Sequence, residues 1–200
     1  SLAILEAEVY DDPIFHRQLR DAVASLHAGA ATDPRSIITP MVTEPGTDLH
    51  RALTTLETGE KWLLEPRQLG DDPCAWTPGI RLGVRPGSWF HLTECFGPVL
   101  GLMRAESLAQ ATEWQNATDF GLTAGIHSLD PDEIAWWRDR AQAGNLYINR
   151  PITGAIVQRQ PFGGWKKSCI GPGAKAGGPN YVLGFYKLTE NANNAPDYEK

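Results

Sequence analysis

The chain has 200 residues, 42% of them hydrophobic and 21% charged, the proportions of a globular chain long enough to bury a sizeable core. Its net charge of -6 and pI near 5.3 exclude a general nucleic-acid role, because no basic stripe is present to neutralise phosphates. No apolar run approaches the ~20 residues of a transmembrane span, and three scattered cysteines without a CxxC pair read as reduced thiols in a cytoplasmic setting, with neither a disulfide framework nor a metal site.

Leu2–Val9 reads as a strand from its first residues. A natural chain seldom begins inside a core strand, so the sequence is expected to be a fragment. Asp12-Pro13 then joins an N-cap acceptor to a proline at the first helical position. Phe15, Leu19, Ala22, Val23 and Leu26 follow at helical spacing and are predicted to bury one face of a helix ending at Gly29. Residues 30–46 are loop-like; a second helix is predicted over 47–57, stopping at Gly59, and Lys61–Leu64 is a short strand. Residues 65–97 mix strands and turns.

From 98 onward the alternation is cleaner. Val99–Met103 is a buried strand, and Ser107 with Gln110 forms a capping box for a helix reaching Ala117. Leu122–His127 is a strand. Asp130-Pro131-Asp132-Glu133 opens a helix with Ile134, Trp137 and Ala141 on one face, closed by Gly144, and Asn145–Asn149 is the next strand. Tyr181–Thr189 reads as a further strand and 190–200 as a polar tail. Strands alternating with helices at these lengths predict an α/β fold: a largely parallel open sheet covered by helices. Ligands in such sheets gather at the carboxyl ends of strands, where Asn149 and the loop after it are placed.

Two segments concentrate chemistry: Glu94-Cys95-Phe96-Gly97-Pro98, and the run from Thr153 through Gly154, Ala155 and Phe162 to Gly164. Each sets a carboxylate or an aromatic ring among glycines and prolines, a pattern suited to a fixed backbone that approaches a ligand closely. A turn carboxylate such as Glu94 can accept two hydrogen bonds from a vicinal diol, and Phe96 can lie flat against a planar ring. Taken alone, the pair is equally a surface glutamate beside a core phenylalanine. Further along stand Gly121-Leu122-Thr123-Ala124-Gly125, Gly144-Asn145-Leu146-Tyr147-Ile148-Asn149 and Pro161-Phe162-Gly163-Gly164-Trp165-Lys166-Lys167-Ser168.

In this order the four motifs resemble the aldehyde dehydrogenase superfamily over residues 2 to about 189. Thr153-Gly154-Ala155 and Ala176-Gly177-Gly178-Pro179-Asn180-Tyr181 are most similar to its L-glutamate γ-semialdehyde (pyrroline-5-carboxylate) dehydrogenase branch, an enzyme group of proline catabolism. The resemblance implies NAD as cofactor, with Glu94 on the ribose and Phe96 against the nicotinamide. It implies that Gly154 and Ala155 offer backbone N–H groups to the substrate α-carboxylate, as convergent amides can, while Phe162 packs along the substrate's aliphatic part. Ser1 either corresponds to the serine that follows the family's nucleophilic cysteine and contacts that carboxylate, or is a cloning remnant. The family's covalent reaction needs a nucleophile, an oxyanion hole and a base. In the family all three, with the dinucleotide-binding domain, precede the matched region, so the chain alone is expected to be inactive. Residues 1–180 would then be a partial catalytic domain and 181–189 an arm that adds to a neighbour's sheet in a homo-oligomer.

Other readings stay beside this one: a non-catalytic packing or dimerisation module, and a general aldehyde dehydrogenase without carboxylate preference. Gly171–Gly177 is not a phosphate loop, lacking Gly-Lys-Ser/Thr and losing a donor to proline. Cys169 has no evident base to activate it, and Cys95 is better explained by packing. The stretches 94–98 and 153–162 are expected to converge on one crevice.

Overall fold

A computed structural model describes residues 1–154, 162–169, 182, 185 and 186. The chain divides into two compact units, Ser1–Asp119 and Phe120–Lys200. Most of the predicted 181–189 strand and the whole 190–200 tail lie outside the described residues.

The first unit is a four-stranded open sheet in the order β1-β4-β3-β2: β1 (Leu2–Glu6), β2 (Lys61–Leu64), β3 (Gly79–Leu82) and β4 (Val99–Ala105). Both β1 and β3 run parallel to the central β4, and only the edge strand β2 is antiparallel. Side-chain alternation sends Leu2, Ile4, Val99 and Met103 to one face and Ala3, Leu5, Ile80, Leu82 and Leu102 to the other. Helix α2 (Pro13–Ala24) covers the second face with Leu19 and Val23. Helix α3 (Thr47–Thr54), α4 (Trp89–Leu92) and α5 (Leu108–Asn116) cover the first through Leu49, Leu53, Phe90 and Trp114. The sheet is thus covered on both faces, which is why its strands are mostly apolar, with charges only at Glu6, Lys61, Arg81 and Arg104.

Local signals set several boundaries. Asp12 caps α2 by accepting from the Ile14 N–H at 2.7 Å, with Pro13 inside the first turn. Ser107 accepts from Gln110 N at 3.3 Å, but the reciprocal Gln110 bond goes to Glu106 N at 2.8 Å, one residue before the cap. Elsewhere tertiary pairing overrides the local pattern. The predicted strand through Val9 stops at Glu6, the last residue opposite β4, and the chain turns into the short helix α1 (Ala7–Tyr10). Tyr10 then accepts from Gly83 N at 2.8 Å. Helix α2 ends at Ala24 rather than at Gly29, whose N–H donates instead to Ile38 O at 3.0 Å. Ala22 is exposed, not buried. Helix α3 ends at Thr54, short of 57, where Thr55 adopts extended geometry.

A buried ion pair crosses the first face. Arg81 and Glu60 have side chains 0% and 2% exposed and are paired through one guanidinium nitrogen and one carboxylate oxygen. Arg81 also donates to Ala52 O at 2.9 Å and Thr55 O at 2.8 Å, at the carboxyl end of α3, where a cation meets the negative end of the helix dipole. Removing one member leaves the other charged and desolvated. Glu60→Ala is therefore expected to destabilise the protein by about 3–5 kcal/mol. Denaturant unfolding measures this, and a loss below about 1 kcal/mol would mean that water reaches the pair.

The second unit pairs β6 (Thr123–Ile126) with β7 (Asn145–Ile148) in parallel, joined through α6 (Pro131–Arg138). β5 (Phe120–Gly121) runs antiparallel to β8 (Trp165–Lys166). Asp130 caps α6, accepting from Asp132 N at 2.8 Å. The helix ends at Arg138, well before Gly144, so that glycine is not a helix terminator. Ala124, Ile126, Trp137, Ala141 and Tyr147 form the core of this unit.

Candidate functional site

In the first unit, Ser88 caps α4 and the chain leaves it as the loop 93–98 before entering β4. Gly79 N binds Pro98 O at 2.9 Å, fixing the exit of this loop on β3. Gly97 lies so close to α3 that an added Cβ would stand 2.3 Å from Leu49 Cδ1. Between these anchors the side chains alternate. Cys95 turns inward to pack on the core, its Sγ donating to Thr93 O at 3.6 Å, while Glu94 and Phe96 face out.

Phe96 is 86% exposed and holds φ +54, a left-handed backbone uncommon outside glycine. Glu94 has no hydrogen-bond or ion-pair partner among the described residues. Unpaired acceptor oxygens and an uncovered aromatic face, side by side on an anchored loop, are what a sugar diol and a flat heterocycle require. Ser1 sits at the head of β1, its side chain exposed and its amine tucked against Val99 O at 3.2 Å. Ser1, Glu94 and Phe96 therefore share one edge of the first unit.

That edge is the amino end of β1 and β4, as the place of 94–98 directly before the strand at Val99 requires, while Asn149 lies at the carboxyl end of β7 as expected. In the second unit Gly163 and Gly164, which follow Phe162, lie against Gly144 at the amino end of β7. Which end a returning loop reaches depends on long-range topology, which strand patterns do not encode.

The second unit shows why its motifs carry the residues they do. A Cβ on Gly144 would come within 1.8 Å of Gly163 O, so two stretches of bare backbone touch there. Buried Asn145 accepts from Gly163 N at 3.4 Å, and Ser168 accepts from Gly121 N at 3.0 Å, tying the segment after Phe162 to β5. Phe162 is 37% exposed. Gly154 is exposed with φ +83, and none of the described residues comes within 4 Å of where its Cβ would stand. Ala155 lies outside the described residues, as does Gly171–Gly177. At the other end of β7, Asn149 holds φ +53 and clamps Ser128 in both directions, at 3.0 and 2.8 Å.

The Arg81–Glu60 pair escaped the sequence reading; its only signal is a lone charge between Ile80 and Leu82 in an apolar strand. Cys74, Cys95 and Cys169 are all free, and no metal-holding cluster occurs among the described residues. No helix among them is long and apolar enough to cross a membrane. Burial pushes the Cys95 thiol up, so its contribution to stability is complete below the ordinary thiol range and is lost as pH rises through the elevated value. Iodoacetamide at neutral pH is expected to label exposed Cys169 well before Cys95. Peptide mapping gives the order, and prior labelling of Cys95 would contradict its packing role.

Comparison with known proteins places this geometry in context. The profile of the aldehyde dehydrogenase family matches residues 1–190. A 1-pyrroline-5-carboxylate dehydrogenase of Geobacillus sp. (strain WCH70) is 32% identical over 189 residues, 92% of this chain and 35% of the relative. The structure of Proline Utilization A (PutA) from Corynebacterium freiburgense is 60% identical with a TM-score of 0.86, covering 91% of this chain and 19% of that one. That of 1-pyrroline-5-carboxylate dehydrogenase from Thermus with bound NAD is 31% identical with a TM-score of 0.77, covering 92% and 35%. The chain thus spans about a third of the length of the curated relatives of this kind.

Proposed function

Since the chain belongs to the aldehyde dehydrogenase family, we propose that it forms part of an NAD-dependent dehydrogenase that oxidises L-glutamate γ-semialdehyde to L-glutamate. The observation that carries this is the loop 93–98, which offers an unpartnered carboxylate and a bare ring on a left-handed backbone. Such an arrangement costs about 1–2 kcal/mol in backbone strain at Phe96 and gains nothing inside the first unit. A dinucleotide that accepts hydride from the aldehyde carbon fits these groups.

Within this reading Glu94 accepts hydrogen bonds from the nicotinamide ribose, and Phe96 limits the tilt of the ring. Gly154 and Ala155 point N–H groups at the substrate α-carboxylate, a recognition that needs no cation. Phe162 lines the aliphatic stretch, and Ser1 adds a hydroxyl to the carboxylate site. The nucleophile and base come from the region that precedes this one in the family, as does the dinucleotide-binding domain, so the 200-residue chain alone turns over no aldehyde.

The test is NADH formation by the full-length protein, with glutamate semialdehyde compared against propanal. Strong preference for the semialdehyde is the expected result. Equal turnover would support a general aldehyde dehydrogenase, and no turnover of either would support a packing or dimerisation module.

A further inference from the structure

Loop 93–98 is gripped on both flanks by elements that meet at Arg81. Upstream, α4 places the Phe90 ring 4.4 Å from the Arg81 guanidinium. Downstream, Gly97 rests against Leu49 of α3. The carboxyl-end carbonyls of that same helix, Ala52 O and Thr55 O, take hydrogen bonds from Arg81. A second tie joins the two helices, since Arg51 of α3 stacks over Trp89 of α4 at 4.1 Å. The guanidinium is planar and multidentate, so it can bind two carbonyls and a carboxylate while presenting a flat face to an aromatic ring. No apolar side chain in its place could hold α3 and α4 in this way.

The strain at Phe96 gives the clamp a purpose. A non-glycine residue keeps a left-handed conformation only where its surroundings over-determine it. Here the surroundings are α3, α4 and, through Gly79 N on Pro98 O, the strand β3 that carries Arg81, and none of them contacts Glu94 or Phe96 through a hydrogen bond among those described. We propose that Arg81, held by Glu60, is a positioning residue for the dinucleotide: it locks α3 to α4 and thereby keeps Glu94 and Phe96 presented. The inference rests on the dehydrogenase reading for the identity of the ligand, but the ordering of the loop stands independently of it.

Two readouts on the full-length protein separate these layers. The first is hydrogen exchange of the amides that hold loop 93–98, Gly79 N on Pro98 O and Val99 N on Gly97 O, compared between wild type, Arg81→Met and Phe90→Leu. Exchange there is expected to quicken about tenfold while β6 and β7 are unchanged. The second is steady-state kinetics well below the melting temperature. The half-saturating NAD concentration is expected to rise about tenfold, with that for glutamate semialdehyde within about twofold. Phe90→Leu keeps the ion pair and answers the question if Arg81→Met does not fold. Unchanged exchange at Gly79 and Val99 overturns the proposal. So does a lowered melting temperature with both half-saturating concentrations at wild-type values, which would make Arg81 a core residue only. A wild-type protein that binds no NAD defeats the dehydrogenase reading instead, and exchange at Gly79 and Val99 still decides whether Arg81 orders the loop.

Discussion

Glu94→Ala in the full-length protein is expected to raise the half-saturating NAD concentration about ten- to hundredfold. A hydrogen bond to a charged group contributes about 1.5–3 kcal/mol, and each 1.4 kcal/mol is about a factor of ten in affinity. The substitution should be nearly silent in stability, within about 0.5 kcal/mol, because Glu94 is exposed and has no partner among the described residues. This pairing of a large kinetic effect with an intact fold is what marks a ligand-facing carboxylate. Glu94→Gln, which keeps one acceptor oxygen, should fall between. Steady-state kinetics with NAD varied at saturating aldehyde, beside a thermal melt, makes the measurement. Unaltered NAD dependence would remove Glu94 from the site.

Gly144→Ala is the second large effect, and it acts through the fold. The new methyl would stand 1.8 Å from Gly163 O and 2.7 Å from Gly164 Cα, both parts of the main chain that cannot swing aside. Relief requires moving the 162–164 segment, at about 3 kcal/mol or more, and the displaced Phe162 should weaken semialdehyde binding. Gly97→Ala provides the control: its methyl meets the Leu49 side chain, with Cδ1 at 2.3 Å, and a leucine can rotate. A loss of about 1 kcal/mol is expected there. Unfolding curves of the two variants test the contrast, and a Gly144→Ala protein as stable as wild type would show that the two backbones do not touch.

Gly144 also shows what a sequence can and cannot disclose. Its place after a helical run marks it as a terminator, yet α6 ends at Arg138 and the residue serves a contact with Gly163, nineteen positions on. Signals completed within one turn were legible: Asp12-Pro13, Asp130-Pro131 and Ser107 each open a helix, and Lys61–Leu64 is a strand to the residue. Helix α4 escaped because four residues are too few to show a period, although Ser88 caps it. Arg81 with Glu60 escaped because the pair is defined only once β3 is packed against the turn before β2 and the end of α3. The exposed placement of Glu94 and Phe96 was read from motif chemistry. Their strand end follows from their place just before β4, whereas the return of Gly163 and Gly164 to the amino end of β7 depends on long-range threading.

The left-handed Phe96 sets endurance against function in this protein. Glycine at that position would relax the main chain and harden the first unit against heat. The same change would strip away the only large ring on loop 93–98. Breeding the protein for thermal survival alone would therefore tend to discard this phenylalanine, and the aromatic persists only while something that stacks on it is under selection.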